Sequence, residues 1–200
     1  RPAGTDGWDE AHLATLVKRI RAERSGRCLL LDGGDTLQGS ATALWTRGLD
    51  MVRAMNQLGV DVFTPHWGFT YGIDRVRELF GDRRGRGLFG GDFVCHNCRE
   101  LNWDEPGFAP YTVREGGGVR VGVIGQAFPY VPVSHPQRMV PNLTFGIQEE
   151  QAQRLVEELR EVRKADLVVL LSHNGLPTDL KMAARVSGLG ARPLDGVASV

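Results

Sequence analysis

The sequence has 200 residues, 42% of them hydrophobic and 24% charged, which excludes an intrinsically disordered chain and suits a single domain. Its 24 basic and 24 acidic side chains cancel, so no global field favours nucleic acid or an anionic membrane, and neither is expected as a partner. No stretch approaches the ~20 apolar residues that span a bilayer, Arg1 to Asp9 lack the apolar core of a signal peptide, and three cysteines are too few and odd in number for a disulfide framework.

Taken in chain order, Leu13, Leu16, Val17 and Ile20 recur at helical spacing and predict an amphipathic helix over Ala11 to Glu23, closed by Ser25-Gly26. Cys28 to Leu31 is a short, wholly apolar run before Asp32-Gly33-Gly34-Asp35, as expected of a buried strand and a tight loop. Met51, Val52, Met55 and Leu58 mark a second helix. Val60 to Thr64 reads as another buried strand ending at Pro65-His66-Trp67-Gly68, and Ile73 to Phe80 as a helix.

Gly81 to Gly91, with Arg83, Arg84, Arg86 and five glycines, predicts a surface loop, and Asp92 to Cys95 a short strand. Tyr111 to Arg114 and Val119 to Ile124 flank Glu115-Gly116-Gly117-Gly118, a hairpin signature that makes the sheet mixed. Phe128 to Gly146 holds four prolines and no sustained period, so it is expected to be a long ordered loop of the kind that carries substrate contacts. Ala152, Leu155, Val156 and Leu159 define a further helix, Leu167 to Leu171 a buried strand and Leu180 to Val186 a last short helix, whereas Ser187 to Val200 has no usable pattern. No repeat or linker divides the chain, which reads as one domain over residues 1–200.

Asp35, His66 and His173 each fall just past an apolar strand. Sites of α/β sheets form at the carboxyl ends of their strands. If these strands are parallel neighbours, one carboxylate and two imidazoles reach one edge of one sheet, a donor set suited to a transition metal. Walker A, HExxH and GxSxG patterns are absent, so nucleoside-triphosphate, zincin and serine-hydrolase chemistry lack support.

These residues also resemble a known family. Gly34-Asp35-Thr36-Leu37-Gln38-Gly39-Ser40 is similar to the second metal motif of calcineurin-like metallophosphoesterases of the 5'-nucleotidase type, and Leu171-Ser172-His173-Asn174-Gly175 to their later His motif. Between them, Pro65-His66-Trp67-Gly68-Phe69-Thr70-Tyr71-Gly72 stands where nucleotidases have Gly-Asn-His-Glu-Phe-Asp. A His for the metal-binding Asn and a Trp for the catalytic His resemble the SoxB thiosulfohydrolase branch.

The resemblance implies a four-layer αββα sandwich with mixed sheets and two manganese ions, with zinc or iron as alternatives. It implies a periplasmic hydrolase, monomeric, that releases sulfate from a cysteine S-thiosulfonate on the sulfur-carrier protein SoxYZ. Asp35 would bridge the ions, His66 and His173 would each ligate one, and Trp67 would line the pocket, since indole does not transfer protons near neutral pH. Asn97 is a candidate substrate contact because related enzymes carry an Asn after that strand. Phe128 and Tyr130 are candidates for a channel wall against the carrier peptide, or for packing of the long loop.

The sequence departs from that pattern in several places. The family's first motif, Asp-x-His, is absent before Ala11, and Gly190-Ala191-Arg192-Pro193-Leu194-Asp195 stands where a Gly-His-Thr-His motif is expected. The chain is therefore expected to be an internal fragment, incomplete at both ends and inactive alone. Pro65 and Gly68 replace the usual Gly and Glu. Cys95-His96-Asn97-Cys98 has redox spacing but no second half for a zinc site. Two further readings remain open: a 5'-nucleotidase-like phosphoesterase, which Trp67 disfavours for want of a general acid, and a non-catalytic fragment that docks a carrier.

Overall fold

The computed structural model describes residues 10–82, 85–102 and 105–191. Expectations that fall on Arg1 to Asp9, on Arg83 and Arg84, and on Arg192 to Asp195 lie outside the described residues. The elements in chain order are α1 (Glu10–Arg24), β1 (Leu31–Asp32), α2 (Ala41–Thr46), α3 (Leu49–Leu58), β2 (Val62–Phe63), α4 (Ile73–Phe80), β3 (Gly81–Asp82), β4 (Gly85–Arg86) and β5 (Asp92–Phe93). They continue as β6 (Arg99–Glu100), β7 (Tyr111–Gly116), β8 (Val119–Gln126), α5 (Val131–Ser134), β9 (Leu143–Thr144), α6 (Glu149–Glu161), β10 (Leu167–Ser172), α7 (Leu176–Arg185) and β11 (Gly190–Ala191).

Two sheets form the frame. The first has the order β1-β2-β5, all parallel, and the second the order β11-β10-β8-β7, in which only β8 and β10 are parallel. Side-chain alternation then sorts the apolar residues into three layers of core, because successive residues of a strand face opposite sides. Val62, Val121, Val123 and Val169 meet between the sheets. Phe63 and Phe93 turn outward onto Val52, Met55, Val76 and Leu79 of α3 and α4. Ile124 and Val168 turn to the opposite side, onto Leu155, Val156 and Leu159 of α6 and Met182 of α7. The result is helix, sheet, sheet, helix, the expected αββα arrangement with a mixed sheet.

The sheets are drawn together where the chain after β5 crosses to the second sheet. His96 N–H donates to the Gly125 carbonyl at 2.8 Å and Cys95 N–H to that of Ala109 at 2.8 Å. At Gly125 an added Cβ would lie 2.1 Å from the Val94 carbonyl oxygen, so this crossing admits no side chain.

Several elements differ from expectation. The strand expected over Cys28 to Leu31 pairs only at Leu31 and Asp32, because the Leu30 N–H donates instead to the Asp61 carboxylate at 2.8 Å. Within the span expected to be a loop, Gly81 and Asp82 pair antiparallel with Arg86 and Gly85. The proline-rich stretch contains the short helix α5 and the strand β9, which pairs with β6. The last helix begins at Leu176, with Pro177 in its first turn, a position where its missing N–H costs nothing. Beyond it β11 joins the edge of β10.

Candidate metal centre

The site is built from three strand ends. After β1 the chain makes a tight turn in which the Asp32 carboxylate accepts from the Gly34 N–H at 2.9 Å and from the Thr36 hydroxyl at 2.8 Å. Burial pushes the Asp32 carboxyl above its ordinary value, against these hydrogen bonds and the nearby His173. Gly34 has φ 101 and packs so closely that an added Cβ would sit 2.5 Å from the His66 backbone nitrogen. Asp35 follows in the left-handed region, φ 66, a conformation that Asp tolerates better than most residues.

His66 comes from the end of β2, and its Nδ1 lies 2.7 Å from Asp35 Oδ1. That nitrogen is buried and lacks a well-aligned hydrogen bond. His173, just past β10, stacks on His66 with ring centroids 3.8 Å apart and planes 14° apart. Its Nδ1 faces the Gly33 carbonyl oxygen at 3.2 Å. Asp35, His66 and His173 can each present one ligand atom within 4.8 Å of the others.

The three residues thus converge, though not along one sheet. Asp35 and His66 follow strands of the first sheet and His173 a strand of the second, so the expectation of a single shared sheet edge is corrected. The centre lies where the two sheets' strand ends meet, and it depends on how the sandwich is assembled. Burial holds the His66 ring below its ordinary pKa, with His173 acting in the same direction and Asp35 in the other.

Trp67 donates its indole N–H to His66 Nε2 at 2.7 Å and is 37% exposed. Phe128 stacks on Trp67 at 5.8 Å and meets His66 edge-on at 5.0 Å. Tyr130 lies against the edge of Phe128 at 5.5 Å and is 49% exposed. Both residues singled out in the long loop therefore flank the cluster, Phe128 within its wall and Tyr130 at the rim.

Asn97 is placed elsewhere. Its side chain is fully buried and bonded within the fold, with Nδ2 donating to the Ala127 and Gly146 carbonyls and Oδ1 accepting from the Ala127 N–H and the Cys95 thiol. This geometry ties β8 to the loops beside it and offers no group to a substrate, a correction to the expectation of contact. Cys95 and Cys98 are buried and unbridged, and among the described residues neither joins a metal-type cluster.

His135 was not anticipated. It is buried with Nε2 3.3 Å from the Thr70 hydroxyl, and its ring stands edge-on to Trp67 at 6.0 Å. Its place in a proline-rich stretch without periodicity gave no signal of this, because the link to Thr70 spans 65 residues.

Two imidazoles and a carboxylate suit a transition metal better than magnesium or calcium, which prefer oxygen ligands. The residues fit such an ion on the structure's own terms. His66 Nδ1 is a buried polar atom without a satisfied bond, and the Gly33 carbonyl fixes His173 so that Nε2 is left free, the usual second contact of a ligating histidine. A donor trio suited to a transition metal thus sits at the strand ends of an αββα sandwich.

No family model matches the sequence. The chain is similar to snake venom 5'-nucleotidase of Gloydius brevicauda, 26% identical over an alignment 191 positions long that covers 90% of this chain and 30% of that protein. It is 27% identical to 5'-nucleotidase of Rattus norvegicus, with the same shares covered, 90% and 30%. Among solved structures, sulfate thiohydrolase SoxB of Thermus thermophilus is 38% identical with a TM-score of 0.81, over 88% of this chain and 32% of that one. A 5'-nucleotidase precursor, also of Thermus thermophilus, is 29% identical with a TM-score of 0.75, over 88% and 33%. The chain spans about a third of the length of these relatives. The relatives and solved structures it is similar to are 5'-nucleotidases and SoxB, and it shares their metallophosphoesterase-type fold.

Proposed function

We propose that the protein is a dinuclear-metal hydrolase that cleaves a cysteine S-thiosulfonate on the carrier protein SoxYZ and releases sulfate, acting as a periplasmic monomer in thiosulfate oxidation. The observation that carries this reading is Trp67 beside the donor trio, bonded to His66. Cleaving a nucleotide ester expels an alkoxide, which needs a proton donor, and an indole supplies none near neutral pH. In thiosulfonate hydrolysis, water adds its oxygen to the terminal sulfonate sulfur, the sulfur–sulfur bond breaks and a persulfide anion departs. Such an anion leaves without a general acid. The 38% identity to SoxB supports the same branch.

Asp35, His66 and His173 would hold the ions, manganese in this reading with zinc or iron as alternatives. The metal would supply Lewis-acid polarisation of the sulfonate and a bound water of lowered pKa. Phe128 and the exposed faces of Trp67 and Tyr130 would exclude water and receive the carrier's peptide arm. The trio is the one such cluster among the described residues, and three donors are few for two ions, so weak loading is expected of this chain by itself.

The test is manganese binding by calorimetry on this chain and on a longer form that carries the two motifs missing from it, followed, on the longer form, by assay of sulfate from a cysteine S-thiosulfonate peptide and of phosphate from AMP. Sulfate without phosphate is the expected result, and Asp35→Ala or His173→Ala should abolish both metal binding and turnover. Phosphate without sulfate would favour the 5'-nucleotidase reading, which the 26% and 27% identities to 5'-nucleotidases keep in view. Metal binding with neither product would leave a carrier-docking domain.

A further inference from the structure

A neutral imidazole offers one lone pair, and at His66 that pair is already engaged. The Trp67 indole only donates, and its Nε1 lies 2.7 Å from His66 Nε2. Nε2 therefore carries no proton, and the single N–H of the neutral ring sits on Nδ1, 2.7 Å from Asp35 Oδ1. His173 is arranged differently. Its N–H is directed to the Gly33 carbonyl from Nδ1, which leaves Nε2 as an unencumbered donor. The two stacked rings are thus unequal: one is ready to ligate and the other is not.

Whichever nitrogen of His66 takes a cation, the contact to Trp67 has to break. If Nε2 is the ligand, the cation and the indole N–H compete for the same lone pair. If Nδ1 is the ligand, the ring proton moves to Nε2 and faces the indole N–H, two donors set 2.7 Å apart with no acceptor between them. We propose that Trp67 is a latch on this centre, holding His66 in a state that does not ligate, so that a divalent cation loads as the indole withdraws.

The surroundings suit such a movement. Trp67 packs on Phe128 at 5.8 Å and against the edge of His135 at 6.0 Å, while 37% of it faces solvent, so the ring is supported on one side and free on another. The latch also discriminates among cations. One that bonds imidazole nitrogen strongly, such as zinc, displaces the indole more completely than one that bonds it weakly, such as manganese.

The inference rests on the metal-centre reading, and the experiment separates the two. The full 200-residue chain is labelled with 5-fluorotryptophan and titrated with Zn2+, which is diamagnetic, under 19F NMR. Resonances are assigned with Trp8→Phe, Trp45→Phe, Trp67→Phe and Trp103→Phe. The Trp67 resonance should move in proportion to zinc bound. Calorimetry should show Trp67→Phe binding zinc about two- to tenfold more tightly, the value of one neutral hydrogen bond. Zinc binding that His173→Ala removes, with the Trp67 resonance unmoved, overturns the latch and leaves the metal centre standing. Weaker binding by a folded Trp67→Phe does the same, and absence of zinc binding overturns both. Should Trp67→Phe fail to fold, the wild-type resonance decides, assigned by elimination from the other three variants.

Discussion

At the scale of single residues the centre depends on positions whose role a motif does not spell out. Gly34 is one: with φ 101 and a hypothetical Cβ 2.5 Å from the His66 nitrogen, it lets the Asp35 loop lie directly on the chain that carries His66. Gly34→Ala adds strain at a positive φ and forces backbone apart at the same point. We expect a loss of about 2–4 kcal/mol in denaturant unfolding and at least tenfold weaker manganese binding by calorimetry. Asn97 is the second. Its amide satisfies three backbone groups on Ala127 and Gly146, and unpaired buried groups cost more than an average hydrogen bond is worth. Asn97→Ala should cost about 3 kcal/mol in urea unfolding, with the loss falling on stability before metal affinity, since Asn97 is not among the ligating residues.

At the scale of elements, two glycines of one strand pair make opposite predictions. Gly118, in the turn between β7 and β8, has φ 82 and nothing within 4 Å of its hypothetical Cβ. Gly118→Ala should therefore cost only the conformational term, about 1 kcal/mol. Gly125, within β8, would press its Cβ 2.1 Å from the Val94 carbonyl oxygen. The two sheets cross there, so Gly125→Ala should destabilise by more than about 3 kcal/mol or prevent folding, with circular dichroism and thermal melting as the check. Neither glycine is marked in the sequence as the costly one. What was legible were elements with enough length to show a period: α6, the β7–β8 hairpin and β10, whose six residues are nearly all apolar. The ladders β3–β4 and β6–β9 pair two residues each, too few for any alternation, and β6 meets its partner more than forty residues away. Sheet membership was equally hidden. The apolar run of β10 points to packing on both faces, not to which strands it joins. The convergence of Asp35, His66 and His173 was therefore readable from their places after strands, while the joining of two sheets beneath them was not.

At the scale of the whole molecule, the buried histidines set a pH limit on the fold. His96 is fully buried between the sheets' crossing chain and β8, bonded to Gln126 at 2.6 Å, and burial pulls its pKa down from 6.5 to about 4. His66 and His135 are lowered as well, burial being the main cause for both. In the window between the lowered and the ordinary value the unfolded chain binds protons that the native state refuses, so stability rises with pH there and is lost as pH falls. For His96 alone the loss is on the order of 2 kcal/mol between pH 7 and pH 5, approaching 3 kcal/mol near pH 4. Asp32 works the other way. Its raised pKa means that the native carboxyl takes up its proton before the unfolded chain does, which offsets part of the loss at the acid end. Urea unfolding of the metal-free protein at intervals from pH 7.5 to 4.5 should show stability declining throughout this range. His96→Gln keeps a polar group near Gln126 without the titration, and should be less stable at pH 7 but shallower in slope. An unchanged slope in that variant would move the acid sensitivity to His66 and His135, at the candidate centre itself.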